Sequence, residues 1–423
     1  MRIRLAISLL IAFCCCDLSA LDTASAVRFG RLIDGQGKTW TNAVVLVRNG
    51  RIEKVLTSDA AIPADAKIID LHQYTGVPGL IDVHTHMTFW SDPKAGTSPF
   101  EQYAKQRSAF LVYMAQENAR KTLETGVTTV RDLGSDHYDD IVMRDLINRG
   151  AMVGPRMFVA GCGLSVTAEP FKPEMRPQCG QADGVPEVLK AVREQIAAGV
   201  DVIKMYGSTG SDKDVTGYQT FTSDEMRAAV EVAHKYGKRV AIHSYGPDGA
   251  RDAVHAGTDS LEHAIDIPDD VLAEMVKRGT FYVPTIDHNR YYVDAREEFK
   301  YDDKIVAGLN AYVEKNLETA RRAQKAGVKF AMGSDAVFSM FGQNTRELGW
   351  FVKAGMTPAE ALQTATTNAA ALLGMSGQLG AIAPGYFADL VAVEGDPLSD
   401  IKVVIDNVRW VMKDGQVVVD KRP

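Results

Sequence analysis

Short runs of alternating apolar and polar residues occur near both ends of the chain, separated by Gly, Asn or Asp turns. This period of two predicts β-strands. The predicted N-terminal strands are Val27–Ile33, Ala43–Arg48, Arg51–Leu56 and Lys67–Leu71. The predicted C-terminal strands are Ala388–Val393, Val403–Val404, Val408–Lys413 and Gln416–Val419. We expect residues 27–75 and 383–423 to form one composite β-sandwich domain.

The middle of the chain alternates apolar, β-branched runs with stretches whose apolar residues recur every three or four positions. This alternation is typical of βα units and a parallel sheet. The eight apolar runs are Leu80–His84, Thr128–Asp132, Arg156–Ala160, Val200–Met205, Arg239–His243, Ser260–His263, Thr280–Pro284 and Val328–Ser334. The helical stretches are Glu101–Glu124, Pro186–Ala198, Ser223–Tyr236, Lys304–Lys325 and Pro358–Leu373. The predicted fold class is therefore α/β: a (β/α)8 TIM barrel over residues 76–382, with the small β-sandwich domain beside it.

The first residues have the layout of a secretory signal peptide. Two arginines precede an apolar stretch from Leu5 to Cys16, and small residues follow up to Ala20. The stretch is too short to span a bilayer, so we expect residues 1–20 to be removed, and the chain to be exported to the periplasm or secreted. Cleavage after Ala26 is an alternative. The adjacent cysteines at 14–16 leave a lipoprotein anchor open, although the residues before them fit a lipobox poorly.

Amino-acid composition restricts the classes of partner that the chain could bind. The 423 residues include 47 Lys and Arg against 54 Asp and Glu, a net charge of −7, so the chain lacks the basic excess of a nucleic-acid-binding protein. A hydrophobic content of 46% is that of a soluble globular protein, and we expect no membrane span. Signal removal would leave two cysteines, Cys162 and Cys179, which in an oxidising compartment either form a disulfide or are unrelated core residues.

Polar residues follow the predicted barrel strands, where such barrels place their chemistry. His84 and His86 end the first strand, and a spacing of two puts both imidazoles on one face. Later strands end in Lys204, His243, His263 and Asp335. Imidazole and carboxylate groups suit zinc or a similar divalent ion. A lysine ammonium has no acceptor, so Lys204 is a charge stabiliser, a Schiff-base nucleophile or a carbamate formed with carbon dioxide.

These residues on strands one, four, five, six and eight resemble the metal centre of the amidohydrolase superfamily, binuclear type. Local strings narrow the resemblance: Val77–His86, Gly126–Asp132, Ser260–His263 and Gly380–Gly385. They are similar to the branch related to imidazolonepropionase, which contains dipeptidases, carboxypeptidases and enzymes that cleave the amide of ochratoxin. The loop Gly207–Gly210 departs from the glycine pair usual in the family.

The resemblance implies two divalent metal ions, for which zinc is the expected metal, and a homo-oligomer. It assigns His84, His86 and Asp335 to one ion, His243 and His263 to the other, and carbamylated Lys204 as the bridge. A hydroxide between the ions would attack the scissile carbonyl, and Asp335 would take its proton and return it to the leaving amine.

The same resemblance assigns substrate contacts. His288 would orient the substrate or stabilise the oxyanion, while His137 and Tyr245 would bind a substrate α-carboxylate. Three other histidines, His72, His234 and His255, lie away from the strand ends, and we expect them to be structural.

The predicted activity is metal-dependent hydrolysis of an amide or peptide bond next to a free carboxylate. The substrate would be a dipeptide or an N-acyl amino acid, with ochratoxin-like aromatic amides included. One alternative is an imidazolonepropionase-like hydrolase of cyclic amides or a deaminase with one metal, which would have no need of Lys204 as a bridge. A metal-free binding protein on the same scaffold is the alternative from another class, although such relatives lose ligands that this chain keeps.

Overall fold

The computed structural model of the protein describes residues 24–57, 59–167 and 179–423. The signal peptide predicted for residues 1–20 lies outside the described residues, as do the three adjacent cysteines. None of the helices in the described ranges is long and apolar enough to cross a bilayer.

Strands and helices alternate through most of the chain. The strands are β1 (Ser25–Ile33), β2 (Thr39–Arg48), β3 (Arg51–Leu56), β4 (Lys67–Pro78), β5 (Leu80–Thr85), β6 (Val127–Asp132), β7 (Arg156–Val159), β8 (Val202–Tyr206), β9 (Arg239–Ser244), β10 (Ser260–His263), β11 (Phe281–Val283), β12 (Lys329–Phe330), β13 (Leu390–Val393), β14 (Val408–Lys413) and β15 (Gln416–Asp420). The helices are α1 (Pro99–Lys105), α2 (Ser108–Glu124), α3 (Asp139–Asn148), α4 (Gly184–Ala198), α5 (Ser223–Lys235), α6 (Pro247–Ala256), α7 (Asp269–Arg278), α8 (Ile286–Asp294), α9 (Arg296–Phe299), α10 (Asp303–Ala326), α11 (Glu347–Lys353), α12 (Pro358–Thr364), α13 (Thr367–Leu372) and α14 (Lys402–Asp406).

One mixed sheet joins the two ends of the chain. Its seven strands run in the order β15-β14-β13-β4-β1-β2-β3, with β1 parallel to β4 and β13 antiparallel to β4. Alternate side chains from both ends, among them Phe29, Leu390 and Trp410, share one buried cluster. Strands from the N-terminal and C-terminal segments thus form a single sheet, as predicted. The β-sandwich and the domain boundaries stay predictions.

The eight predicted barrel strands all form, as two parallel sheets. One sheet has the order β5-β6-β7, and the other has the order β12-β11-β10-β9-β8. Backbone hydrogen bonds link the two sheets on both sides. The Leu164 N–H donates to the Lys204 carbonyl at 2.8 Å, and the Asp335 N–H donates to the His84 carbonyl at 2.7 Å. The carboxyl ends of β5 and β12 therefore lie side by side.

Local signals explain where several helices begin and end. Helix α5 starts with a capping box, in which Thr222 accepts the Glu225 N–H and the Glu225 side chain accepts the Thr222 N–H. Helix α4 ends at Gly199, whose φ of 96° is accessible to glycine without steric cost. Such caps satisfy backbone groups that the helix itself leaves unpaired.

Three sequence predictions differ from the structure. The helix predicted over Glu101–Glu124 is two helices, because the chain is extended at Gln106 and Arg107. The helix predicted over Pro358–Leu373 is also interrupted, at Thr366. The strand predicted at Val403–Val404 is wrong. Both valines lie in α14 and bury their side chains in the main core, and a run of two apolar residues has no period that distinguishes a strand from a helical turn.

Cys162 and Cys179 form a disulfide, with their Cα atoms 5.8 Å apart. This settles the choice left open by the sequence. The bond ties the segment that follows β7 to the residues just before α4, next to the loop that pairs with Lys204.

Candidate functional site

Two neighbouring strand ends bring three of the predicted ligands together. His84 and His86 come from the end of β5, and Asp335 follows β12. The Nε2 atoms of His84 and His86 lie 3.5 Å and 3.2 Å from Oδ1 of Asp335. One potential ligand atom from each residue lies within 4.8 Å of the others, and all three side chains are buried. This spacing is compatible with a shared metal ion.

The other three predicted ligands border the same volume. The rings of His243 and His263, from β9 and β10, have centroids 4.5 Å apart, and His263 lies 5.0 Å from His84. Lys204, from β8, is buried, and its ammonium lies 5.2 Å from the ring centroid of Tyr206. The five strand ends thus converge as the sequence predicts.

Two buried imidazole nitrogens at the site lack a hydrogen-bond partner among the described residues, which bears on whether these residues could bind a metal ion. Nε2 of His84 and Nε2 of His243 have no hydrogen-bond partner within the described part of the chain. An unsatisfied buried polar atom destabilises a fold by about 1–3 kcal/mol unless a water or an ion satisfies it. Imidazole nitrogens beside a carboxylate form a donor set suited to zinc and similar divalent ions. The residues present therefore fit the implied metal.

His84 is oriented by a buried carboxylate. Its Nδ1 lies 2.8 Å from Oε2 of Glu262. The other carboxylate oxygen of Glu262 accepts from Nη2 of Arg131 at 2.9 Å and from the hydroxyl of Ser260. Arg131 also donates from Nε to the Val83 carbonyl at 2.5 Å. With Nδ1 occupied in this way, Nε2 of His84 is left to face Asp335.

Two of the other histidines also have a partner on Nδ1. Nδ1 of His86 lies 2.9 Å from the Gly134 carbonyl, and Nδ1 of His263 lies 2.6 Å from the hydroxyl of Thr285. A carbonyl can only accept, so it places the proton of a neutral His86 on Nδ1 and leaves Nε2 free to face Asp335. Both residues thus have the support expected of metal ligands.

Most of the predicted ligands have protonation states that suit metal binding, and His86 is the exception. Burial would lower the pKa of His86, but the hydrogen bond and the charge of Asp335 outweigh burial and raise it. Burial lowers the pKa of His84 to about 4 and holds the pKa of His243 and His263 well below the usual value. Burial also lowers the pKa of Lys204 to about 8. Burial alone would raise the pKa of Asp335, but the imidazoles of His288 and His84 outweigh it and hold that pKa well below its usual range. Neutral imidazoles and an ionised carboxylate are the forms that coordinate metals.

The structure brings two of the three predicted substrate contacts to the site. Nε2 of His288, in α8, lies 3.3 Å from Oδ2 of Asp335. Tyr245 is buried, and its ring stacks on His243 with centroids 5.1 Å apart. His137 lies in the turn after β6 and is exposed, and no contact described for it reaches the six predicted ligands.

The histidines predicted to be structural lie elsewhere and face carboxylates. His234 lies 2.8 Å from Asp259, His255 lies 2.9 Å from Glu274, and His72 is an exposed residue of β4. Sequence reasoning did not assign Glu262 and Arg131, which orient His84. The sequence signal was weak: each is a charged residue within a predicted strand, and only the structure shows that every position of the strand is buried.

Comparisons with known proteins agree with this geometry. Residues 75–418 match the sequence model described as the Amidohydrolase family. The chain is 33% identical over 410 residues to ochratoxinase from Aspergillus niger, covering 88% of this chain and 82% of that protein. It is 24% identical over 425 residues to imidazolonepropionase from Geobacillus thermodenitrificans, covering 91% and 90%.

A solved structure is similar over nearly its whole length. The crystal structure of a Xaa-Pro dipeptidase with bound methionine in the active site superposes with a TM-score of 0.85. The two chains are 31% identical, and the match covers 93% of this chain and 99% of the dipeptidase. The resemblance predicted from the strand-end residues and local strings is confirmed.

Proposed function

Because this chain belongs to the Amidohydrolase family and is a hydrolase, we propose that it cleaves an amide or peptide bond next to a free carboxylate. The expected substrates are dipeptides and N-acyl amino acids, with ochratoxin-like aromatic amides among them. The observation that supports the proposal most directly is the buried group of His84, His86 and Asp335, whose ligand atoms lie within 4.8 Å of one another. Similarity to a Xaa-Pro dipeptidase and to ochratoxinase supports the substrate class.

We infer that the eight parallel strands close into one barrel and that the mixed sheet belongs to a β-sandwich domain beside it. Hydrogen bonds between β8 and the segment after β7, and between β5 and the segment after β12, support closure. In such a barrel all five ligand-bearing strand ends open on the same face.

The proposed centre holds two divalent ions, with zinc as the expected metal. His84, His86 and Asp335 would hold one ion, His243 and His263 the other, and carbamylated Lys204 would bridge them. Such ions supply Lewis acidity, which lowers the pKa of water and polarises a carbonyl. The burial of Lys204 supports its modification, since an uncharged amine is the form that reacts with carbon dioxide.

The side chains provide the remaining steps. The carboxylate of Asp335 accepts the proton of the attacking water and delivers it to the leaving amine. Its pKa is held low, so it is ionised at neutral pH. His288, 3.3 Å from that carboxylate, orients the substrate or stabilises the oxyanion. Tyr245 and His137 are the proposed contacts of the substrate carboxylate.

Similarity to imidazolonepropionase favours one alternative, hydrolysis of a cyclic amide at a single metal. Lys204 distinguishes the two proposals, because a single ion needs no bridging anion. The unpartnered Nε2 atoms of His84 and His243 count against the other alternative, a metal-free binding protein.

The test is a screen of dipeptides and N-acyl amino acids with zinc supplied, accompanied by metal analysis. We expect hydrolysis that requires a free carboxylate next to the scissile bond, two ions per chain, and loss of turnover in Asp335→Asn. Activity confined to neutral cyclic amides, or a single ion with unmodified Lys204, would rule out the proposal.

We further propose that the mature chain is exported. The Cys162–Cys179 disulfide supports this location, since such bonds persist in oxidising compartments. Fractionation of cells that express the full chain would test it. The expected result is a shortened protein outside the cytoplasm.

A further inference from the structure

A carboxylate from a distant part of the chain holds the start of α8, the helix that contains His288. The N–H of Ile286 donates to Oε1 of Glu347 at 2.9 Å, and the N–H of Asp287 donates to Oε2 at 2.8 Å. Glu347 is the first residue of α11 and is fully buried. Both oxygens of this carboxylate therefore bind the first turn of α8.

The residue that ordinarily caps a helix is engaged elsewhere. Thr285 occupies the N-cap position of α8 but makes no side-chain cap. Its hydroxyl lies instead 2.6 Å from Nδ1 of His263. The first N–H groups of a helix need acceptors. Burial raises the pKa of Glu347 to about 8, although the N–H groups of Asp287 and Ile286 act in the opposite direction by binding its oxygens. Glu347 supplies the acceptors that Thr285 does not.

The backbone at Thr285 also requires support. Its φ of 49° lies in the left-handed region, which β-branched residues rarely adopt. Such a conformation persists where the surrounding contacts over-determine it. The Glu347 hydrogen bonds to the next two residues are such contacts.

Helices α8 and α11 hold each other in both directions. While α8 donates two backbone N–H groups to Glu347, the indole of Trp350 in α11 donates to Oδ1 of Asp287 at 2.9 Å. The same carboxylate accepts from Nε of Arg290 at 2.7 Å. The first turn of α8 is thereby fixed at its backbone and at a buried side chain.

His288 follows Ile286 and Asp287 in the first turn of α8. Its N–H donates to the Thr285 carbonyl at 3.2 Å, and its ring packs edge-on against Tyr292. We propose that Glu347 is a positioning residue: by capping α8, it holds the His288 imidazole beside Asp335. The proposal rests on the proposed function, in which His288 and Asp335 act on the substrate.

A double-mutant cycle tests this coupling in the zinc-loaded enzyme. Glu347→Gln keeps one acceptor oxygen and turns an NH2 group toward the other backbone N–H, so it weakens the cap with little change in volume. We expect it to lower kcat/KM by about tenfold, through kcat more than KM, because small displacements of catalytic groups are costly. In a His288→Ala background the same change should lower kcat/KM by no more than about threefold.

Glu225→Gln is the matched control. Glu225 is also a buried glutamate that caps a helix, but its side chain accepts the Thr222 N–H at the start of α5 at 2.7 Å rather than N–H groups of α8. Its effect should therefore add to that of His288→Ala. Additive losses for Glu347→Gln and His288→Ala, or full activity of Glu347→Gln, would overturn the proposal.

Amide hydrogen exchange gives a readout that does not depend on finding a substrate. Exchange at Ile286 and Asp287 should quicken in Glu347→Gln, while exchange at the capped start of α12 stays unchanged. Unaltered exchange at the start of α8 would overturn the role of Glu347, whether or not a substrate had been found. A negative substrate screen would overturn the proposed function and would leave the exchange result unaffected. If Glu347→Gln does not fold, Glu347→Asp, whose side chain is too short to reach both backbone N–H groups, replaces it in both experiments.

Discussion

Nδ1 of His84 lies 2.8 Å from Oε2 of Glu262, although the two residues are 178 positions apart in the chain. The contact joins β5 and β10 and directs the other nitrogen of His84 toward Asp335. A buried Arg131 neutralises the carboxylate and binds the backbone beside His84. The geometry of the candidate metal centre thus depends on residues that would not touch the metal.

This relationship predicts the effect of Glu262→Gln. The amide cannot pair with Arg131 and accept from His84 as the carboxylate does, so zinc affinity should fall by about 10–100-fold. Competition with a chelator measures the change. Glu274→Gln is the matched control, since Glu274 lies 2.9 Å from Nε2 of His255 away from the site. Equal losses in the two variants would contradict an orienting role for Glu262.

Replacement of Lys204 tests the bridging anion. Lys204→Ala should lose one or both ions, and its turnover should fall by more than the roughly 100-fold expected for a group that only supports ligands. Acetate or propionate can occupy the space of the missing carbamate, so millimolar amounts should restore part of the metal content and activity. Metal analysis and kcat are the measurements. A variant that kept two ions without added carboxylate would exclude the bridge.

Gly163 gives a steric prediction about the same lysine. A Cβ atom at this position would lie 2.5 Å from Cε2 of Tyr206 and 3.2 Å from Cγ of Lys204. Gly163→Ala should displace both side chains and lower kcat by about tenfold or more, since small misplacements at a catalytic centre are costly. Gly308→Ala is the control, because its Cβ would meet only Val215 at 3.9 Å. Unchanged turnover of Gly163→Ala would show that Lys204 tolerates the added methyl group.

The disulfide predicts a redox-dependent stability. Cys162 and Cys179 are 17 positions apart, and closing a loop of this size stabilises a fold by about 3 kcal/mol. Urea unfolding should show that loss when the wild type is reduced. A Cys162→Ser, Cys179→Ser double variant should have the lower stability with or without reductant. A wild type whose unfolding midpoint does not respond to reductant would contradict this account.

Much of the site could be predicted from the chain. A parallel barrel strand places its last polar residue at one face of the barrel, so His84, Lys204, His243, His263 and Asp335 could be assigned to one place from the order of strands. The structure brings them together as expected. Their roles stay proposals, because residue type restricts the chemistry of a group without specifying the ligand it binds.

The elements that the sequence misjudged are those in which tertiary contacts outweigh local pattern. Val403 and Val404 show no period, and only burial against the main core makes them helical. The break between α1 and α2 falls at Gln106 and Arg107, and neither residue is a proline or glycine that would have predicted it.

The sequence by itself determined the succession of the barrel-type strands, the polar residues at their ends and the family, because these depend on local periodicity and residue type. The tertiary structure alone decided the partners: Glu262 with His84, Glu347 with the start of α8, and Cys162 with Cys179. Each pairing joins residues far apart in the chain. Distances between such residues are set by the packing of whole elements, which local pattern does not encode.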